Sequence, residues 1–198
     1  MLAELTKLLP YLPTSLVLLR FCLAPVLLAD AFDGNTSQLF IVAFVAAFLS
    51  DIFDGVIARR LDVSTAKLRQ ADSWADVALY ACVSASALLV RPDAIAVFRI
   101  PLLTVVFVQL WWWVANLLKY GKPASYHTYS AKLWGLSLFI AAIALFGFHY
   151  SGVTLWLAII IGILHTLEEI AMTSILPVWT HDVLSFKHAL QLRQMQLN

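Results

Sequence analysis

Charge is scarce in this chain. Asp, Glu, Lys and Arg make up 13% of its 198 residues, against about a quarter in a soluble domain. Cysteine is scarcer still: Cys22 and Cys82 stand alone in apolar runs, which excludes a disulfide framework or a Cys-rich metal site. The net charge is only +1 and no basic run or aromatic-basic module is present, so nucleic acid is not an expected partner. Internal repeats, low-complexity stretches and linkers are absent too, which points to one domain over residues 1–198. The start Met-Leu-Ala-Glu-Leu-Thr-Lys lacks a basic region running directly into an apolar core and cleavage site, so no removable signal peptide is expected.

What fills the chain is hydrocarbon. Apolar residues make up 62% and the mean hydropathy is +0.85. The expected fold class is all-α: a polytopic membrane protein built as a bundle of six transmembrane helices. Apolar runs predict spans at about 14–30, 38–58, 73–90, 96–118, 131–149 and 153–175, each approaching the ~20 residues that cross a bilayer. Leu2, Leu5, Leu8 and Leu9 share one helical face in residues 1–10, which predicts a short N-terminal interfacial helix ending at Pro10 and Pro13. An even number of spans puts both termini on one side. Eleven of the thirteen Lys and Arg residues fall on that side, and only Arg91 and Arg99 fall opposite. The positive-inside rule therefore predicts cytoplasmic termini.

Against this background four carboxylates stand out: Asp51, Asp54, Asp72 and Asp76. Each costs roughly 2.5–3.5 kcal/mol at the centre of a membrane helix, so a group of them near one membrane boundary implies a function. Asp51, Asp54 and Ala58 share a helical face, and Asp72 and Asp76 form an i, i+4 pair at the start of the third span. A short loop joins the two spans, so the acid pairs are expected to meet in one cytoplasmic cleft. Oxygen-only ligands suit hard divalent ions such as Mg²⁺ or Mn²⁺. Gly55 and Ala58 leave room against the helix backbone, and Arg59 offers a fixed cation for phosphate oxygens. Together these residues describe a pocket for a metal-bound diphosphate. A single Asp–Arg pair at a helix end would be read as an interface ion pair; four acids with Gly, Ala and Arg at set spacing are not.

The arrangement Asp51-x-x-Asp54-Gly55-x-x-Ala58-Arg59, followed by Asp72-x-x-x-Asp76, resembles the signature of the CDP-alcohol phosphatidyltransferase family. That signature reads D-x-x-D-G-x-x-A-R, eight or nine variable residues, then G-x-x-x-D-x-x-x-D. Seven positions match in order, and Leu12-Pro13-Thr14-Ser15-Leu16 with Arg20 and Pro25 resembles the family's first span. One position departs: the second glycine is Leu68. The resemblance implies transfer of a phosphatidyl group from a CDP-linked lipid, such as CDP-diacylglycerol, to the hydroxyl of a small alcohol, with release of CMP. It further implies Mg²⁺ or Mn²⁺ held by Asp51, Asp54, Asp72 and Asp76, with Asp76 as the base. The diphosphate would lie at Gly55, Ala58 and Arg59. The resemblance also implies a homodimer in a bacterial-type inner membrane, with the active site cytoplasmic.

Arg20, Arg69 and Lys132 are candidates for an acceptor or lipid phosphate, with Lys119 close in sequence to the same region; such cations lean towards a phosphorylated acceptor such as glycerol 3-phosphate. Arg20 can alternatively snorkel to the interface. Lys119 and Lys122 read as positive-inside anchors. Glu168 and Glu169, with His165 before them, lie inside the sixth span, where a salt bridge with a basic neighbour and a substrate role are both open. Trp111, Trp112 and Trp113 sit mid-span and read as bundle packing or a homodimer contact. Two rival functions use similar residues. A membrane prenyltransferase also binds a metal-diphosphate between helices, but has more spans and lacks D-G-x-x-A-R. A divalent-cation transporter is favoured by midplane acids and repeated halves; here the acids cluster at one face and Arg59 repels a cation.

Overall fold

A computed structural model describes residues 9–63, 65–123 and 126–197. It is all-helical, with eight α-helices: α1 Leu12–Asp30, α2 Gln38–Arg60, α3 Ala66–Val90, α4 Pro92–Val97, α5 Arg99–Tyr120, α6 Tyr129–Ala142, α7 Val153–Ile175 and α8 Phe186–Leu197. Six are long and apolar enough to cross a membrane, and the first of these begins near the N-terminus. The expected interfacial helix rests mostly on residues 1–8, which lie outside the described residues; Leu9–Tyr11 form one 3₁₀ turn leading into α1.

Local chemistry sets the helix ends. Pro13 sits in the first turn of α1, where its missing N–H costs nothing. Ser37, Thr65 and Thr128 cap α2, α3 and α6 by accepting hydrogen bonds from Leu39, Leu68 and Ala131. Gly121, at φ 64°, closes α5 in the left-handed conformation that glycine adopts without a Cβ clash. The Thr65 cap has a consequence for the site. Helix α3 begins at Ala66 and not near residue 73, so Leu68, Arg69 and Asp72 are helical. At the other end of the chain, α6 continues through a π-helical turn, Ile143–Gly147.

The burial pattern is that of a protein dissolved in lipid. Helix α5 buries only Asn116, while Ile100, Leu103, Phe107, Leu110 and Leu118 are exposed. Such a surface would drive association in water; lipid tails solvate it. Trp111 and Trp113 are also exposed, at 59% and 49%, while Trp112 between them is half-buried.

Two compact units divide the chain, residues 1–95 and 96–198. In the first, α1 packs against both α2 and α3. The buried stripe of α2 runs Phe40, Ala43, Phe44, Ala47, Ser50, Asp54 and Ala58 at helical spacing. Its small residues let the helix backbones approach closely, which is how membrane helices gain packing energy. In the second unit α7 is central and packs against α5, α6 and α8. Gly162 admits the Trp134 indole: a Cβ there would lie 2.5 Å from Trp134 Nε1. Lys119 Nζ donates to the Thr173 and Ser174 carbonyls at 2.6 and 3.0 Å, and Tyr120 Oη lies 2.9 and 2.8 Å from those of Thr173 and Leu176. These groups satisfy the last carbonyls of α7, which the helix itself cannot.

The segment after α7 folds back. Met172, Leu176, Val183 and Ala189 form a buried apolar cluster that docks α8. We expect Met172→Ala to destabilise this unit by about 2–5 kcal/mol, the usual cost of such a cavity. Thermal unfolding in detergent should fall accordingly, and limited proteolysis should release the α8 segment faster than in the wild type.

Candidate metal and phosphate site

The register of three helices brings the aspartates together. Counted from the helix ends on one side, at about 1.5 Å per residue, Arg20 on α1, Asp51 and Asp54 on α2, and Asp72 and Asp76 on α3 all lie roughly 9–15 Å along their axes. Arg20 is fully buried at the centre of the four acids. Its Nη1 lies 2.9 Å from Asp51 Oδ1, 2.9 Å from Asp72 Oδ1 and 2.5 Å from Asp76 Oδ1. Its Nη2 donates to Asp54 Oδ2. The Arg20 Nε has no hydrogen-bond partner.

The four acids are not equivalent. Asp54 is 4% exposed and pairs with Nη2. The Asp51, Asp72 and Asp76 side chains are half-buried, at 42%, 35% and 38% exposure. Each of these three offers an oxygen within 4.8 Å of the others, an arrangement that can hold a metal ion. Three converging carboxylates, open on one side and made only of oxygen, fit a hard divalent ion. Asp54 is not one of that trio.

The remaining sequence candidates are placed as follows. Arg59 is exposed at the end of α2, and its guanidinium lies over Gly55, where a Cβ would stand 3.4 Å from Nη1. Ala58 is buried at 6% exposure, so its small side chain serves helix packing and does not form an open wall. Leu68 lies one turn before Asp72 and two before Asp76, on the same face of α3. Arg69 is exposed on the first turn of α3. In the second unit Lys132 is exposed on the first turn of α6, with Nζ 5.5 Å from the Tyr129 ring centroid. Lys119 is bonded to the end of α7, and Lys122 lies over the Trp179 ring at 5.3 Å.

The second unit also gathers polar groups that sequence reasoning left apart. Thr128 Oγ1 donates to Glu169 Oε1 at 3.2 Å across 41 positions of chain. Ser130 Oγ donates to Glu168 Oε2 at 2.5 Å, and the Phe186 amide donates to Glu168 Oε1 at 3.0 Å. His165 Nδ1 stands 3.8 Å from Glu169 Oε1 and 3.3 Å from Ser130 Oγ, with its ring 5.3 Å from that of Trp134. Two hydroxyls and one backbone amide therefore bond the two glutamates, and His165 stands beyond hydrogen-bond reach of Glu169. Nearby, outside the spans, burial pushes the Tyr126 phenol up from its ordinary pKa.

Comparison with known proteins gives one family. The model of the CDP-alcohol phosphatidyltransferase family matches residues 10–164. No curated protein and no solved structure matches.

Removing the hydroxyl that faces Glu169 should be costly. Thr128→Val leaves a buried carboxylate without that donor and removes the α6 cap, so a loss of about 1–3 kcal/mol is expected. Thr128→Ser should restore most of it. Unfolding temperatures of the two variants check this; equal losses in both would show that the methyl group, not the hydroxyl, carries the effect.

Proposed function

Because the chain belongs to the CDP-alcohol phosphatidyltransferase family, we propose that it transfers a phosphatidyl group from a CDP-linked lipid, such as CDP-diacylglycerol, to a small alcohol. CMP is the other product. The observation that carries this reading is the convergence of Asp51, Asp72 and Asp76 within 4.8 Å at one end of α1–α3. These three carboxylates would hold the ion, Mg²⁺ or Mn²⁺ by the hardness of their oxygens. A bound divalent ion supplies Lewis acidity, drawing charge from the phosphoryl oxygens as it develops.

The chain's own residues do the rest. Asp76 accepts the proton of the acceptor hydroxyl as its oxygen forms a bond to the lipid-proximal phosphorus. The bond from that phosphorus to the CMP oxygen breaks, and the electron pair leaves with CMP. A loose phosphoryl transition state asks little basicity of the carboxylate. Asp54, buried against Arg20, orients the guanidinium from behind. Arg59, over Gly55 at the end of α2, contacts the diphosphate, as its planar fork suits. Lys132 and Arg69 are the exposed cations offered to an acceptor or lipid phosphate. Leu68 narrows the approach to Asp72 and Asp76 from the loop side.

Six spans make this an integral membrane protein. The proposed orientation has both termini and the acids on the cytoplasmic face of a bacterial-type inner membrane, supported by the bias of Lys and Arg to that side. We extend the proposal to residues 1–198 acting as one enzyme domain that forms a homodimer, on family grounds.

The test is CMP release from CDP-diacylglycerol by the purified protein, with Mg²⁺ or Mn²⁺, across a panel of acceptor alcohols. Acceptor-dependent CMP that disappears on chelation is expected, and Asp76→Asn should lower the rate by roughly 10²–10⁴-fold, the usual worth of a positioned base. A folded protein that binds divalent metal yet releases no CMP with any acceptor would sink the assignment and make cation transport the next assay. Leu68→Gly should change KM for the CDP-lipid more than kcat; an unchanged KM would remove Leu68 from the substrate path.

A further inference from the structure

Tyrosine in this chain keeps to the ends of the spans, with one exception. Tyr11 precedes α1, Tyr120 ends α5, Tyr126 and Tyr129 lead into α6, and Tyr150 precedes α7. At such places the ring rests on apolar surface while the hydroxyl reaches water or a headgroup. Tyr80, the last of the six tyrosines to be placed, lies inside a span. At about 1.5 Å per residue it stands ~21 Å from the start of α3 and ~15 Å from its end. Lipid tails offer a hydroxyl nothing at that depth, so a phenol there needs a partner. Among the described residues it has none: Tyr80 is half-buried and its hydroxyl makes no hydrogen bond.

Its place on the helix says what the partner is. Asp72, Asp76 and Tyr80 follow one another at i, i+4 and i+8 along one side of α3. Helical side chains lean toward the start of their helix, which carries the phenol from the deeper turn towards Asp76. Asp76, Asp51 and Arg20 are the charges that act on its oxygen. The row thus begins with metal-capable carboxylates and continues into the bilayer with one uncharged hydroxyl. A lipid whose phosphorus is held at the carboxylates must send its glycerol and acyl chains further into the hydrocarbon. The first acceptors below its phosphate are the acyl ester carbonyls. A phenol offers a single O–H donor, which suits a carbonyl.

We propose that Tyr80 recognises the donor lipid: its hydroxyl donates to an acyl ester carbonyl of the CDP-linked lipid and so selects ester-linked over ether-linked chains. The inference deepens the transferase reading and rests on it. Tyr80 takes no part in proton transfer or in the bond changes at phosphorus. It fixes the lipid on the membrane side of the site, while the carboxylates and Arg59 serve the diphosphate.

The experiment is CMP release by the purified full-length protein in detergent micelles, with the donor varied in mole fraction and the acceptor saturating. CDP-diacylglycerol is compared with its dialkyl-ether analogue of the same chain length, in wild type and in Tyr80→Phe. Wild type should show a KM roughly three- to tenfold lower for the ester lipid, the worth of one hydrogen bond, with kcat alike for both. Tyr80→Phe should raise KM for the ester lipid to that of the ether lipid. Its KM for the ether lipid, its kcat and its unfolding temperature should stay as in wild type. A wild type without ester preference overturns the proposal, and so does a Tyr80→Phe that keeps the preference. An equal loss on both lipids also overturns it, since a merely structural tyrosine would act that way. Should Tyr80→Phe fail to fold, Tyr80→Leu takes its place in the same comparison. Rejection with CMP still released by wild type leaves the transferase reading standing. No CMP from either donor with any acceptor removes both.

Discussion

One guanidinium inside four carboxylates organises the first half of this protein. Arg20 belongs to α1, Asp51 and Asp54 to α2, and Asp72 and Asp76 to α3, so a single side chain ties three helices at one depth. In a membrane this matters more than it would in water, because apolar surfaces gain little by leaving lipid for each other. The small-residue stripe of α2 supplies close packing, and the ion cluster supplies register. Sliding α3 by a single turn would move Asp72 and Asp76 by about 5.4 Å and take two of its four partners from the buried Arg20. Buried ion clusters are weak as a source of net stability; their strength lies in specifying one arrangement over its neighbours.

The second half is organised on the same principle without a cation cluster. Its interior holds Asn116, Thr128, Ser137, His165, Thr166, Glu169 and Thr173 beside apolar groups such as Leu145, Leu176 and Val183, while Leu103, Leu110, Leu118, Trp111 and Trp113 face outward. Each of these polar side chains finds a partner within the same unit, because lipid offers none, while the buried Trp112 and Trp134 indole N–H groups and the Thr154 hydroxyl have no hydrogen-bond partner. Even the docking of α8 includes a polar contact, the Phe186 amide on Glu168.

How much of this was legible beforehand follows from the range of each interaction. Spans were readable because hydrocarbon thickness fixes helix length, and the last span, 153–175, coincides with α7. The start of α3 was not, since Lys67, Arg69, Gln70 and Asp72 dilute the apolar signal over residues that Thr65 nevertheless caps into helix. The grouping of the aspartates followed from local spacing and a short loop. The place of Arg20 did not, because snorkelling and cleft-lining look identical in sequence, and only the register of three helices separates them. Lys119 read as a membrane anchor, yet its ammonium closes the end of a helix 54 positions away. Thr128 and Glu169, 41 positions apart, carry no mutual signal at all.

The central place of Arg20 also bears on how the chain is made. Synthesis makes α1 before α2 and α3, and with it an arginine whose four partners are still untranslated. An isolated arginine at mid-span is costly, and so is each aspartate that follows. None of these three helices is therefore a good passenger in lipid by itself, although each looks like one by length. They become so as a set, when the last acid of α3 has emerged. The first unit of this protein is a cargo that the insertion machinery must hold until it is complete.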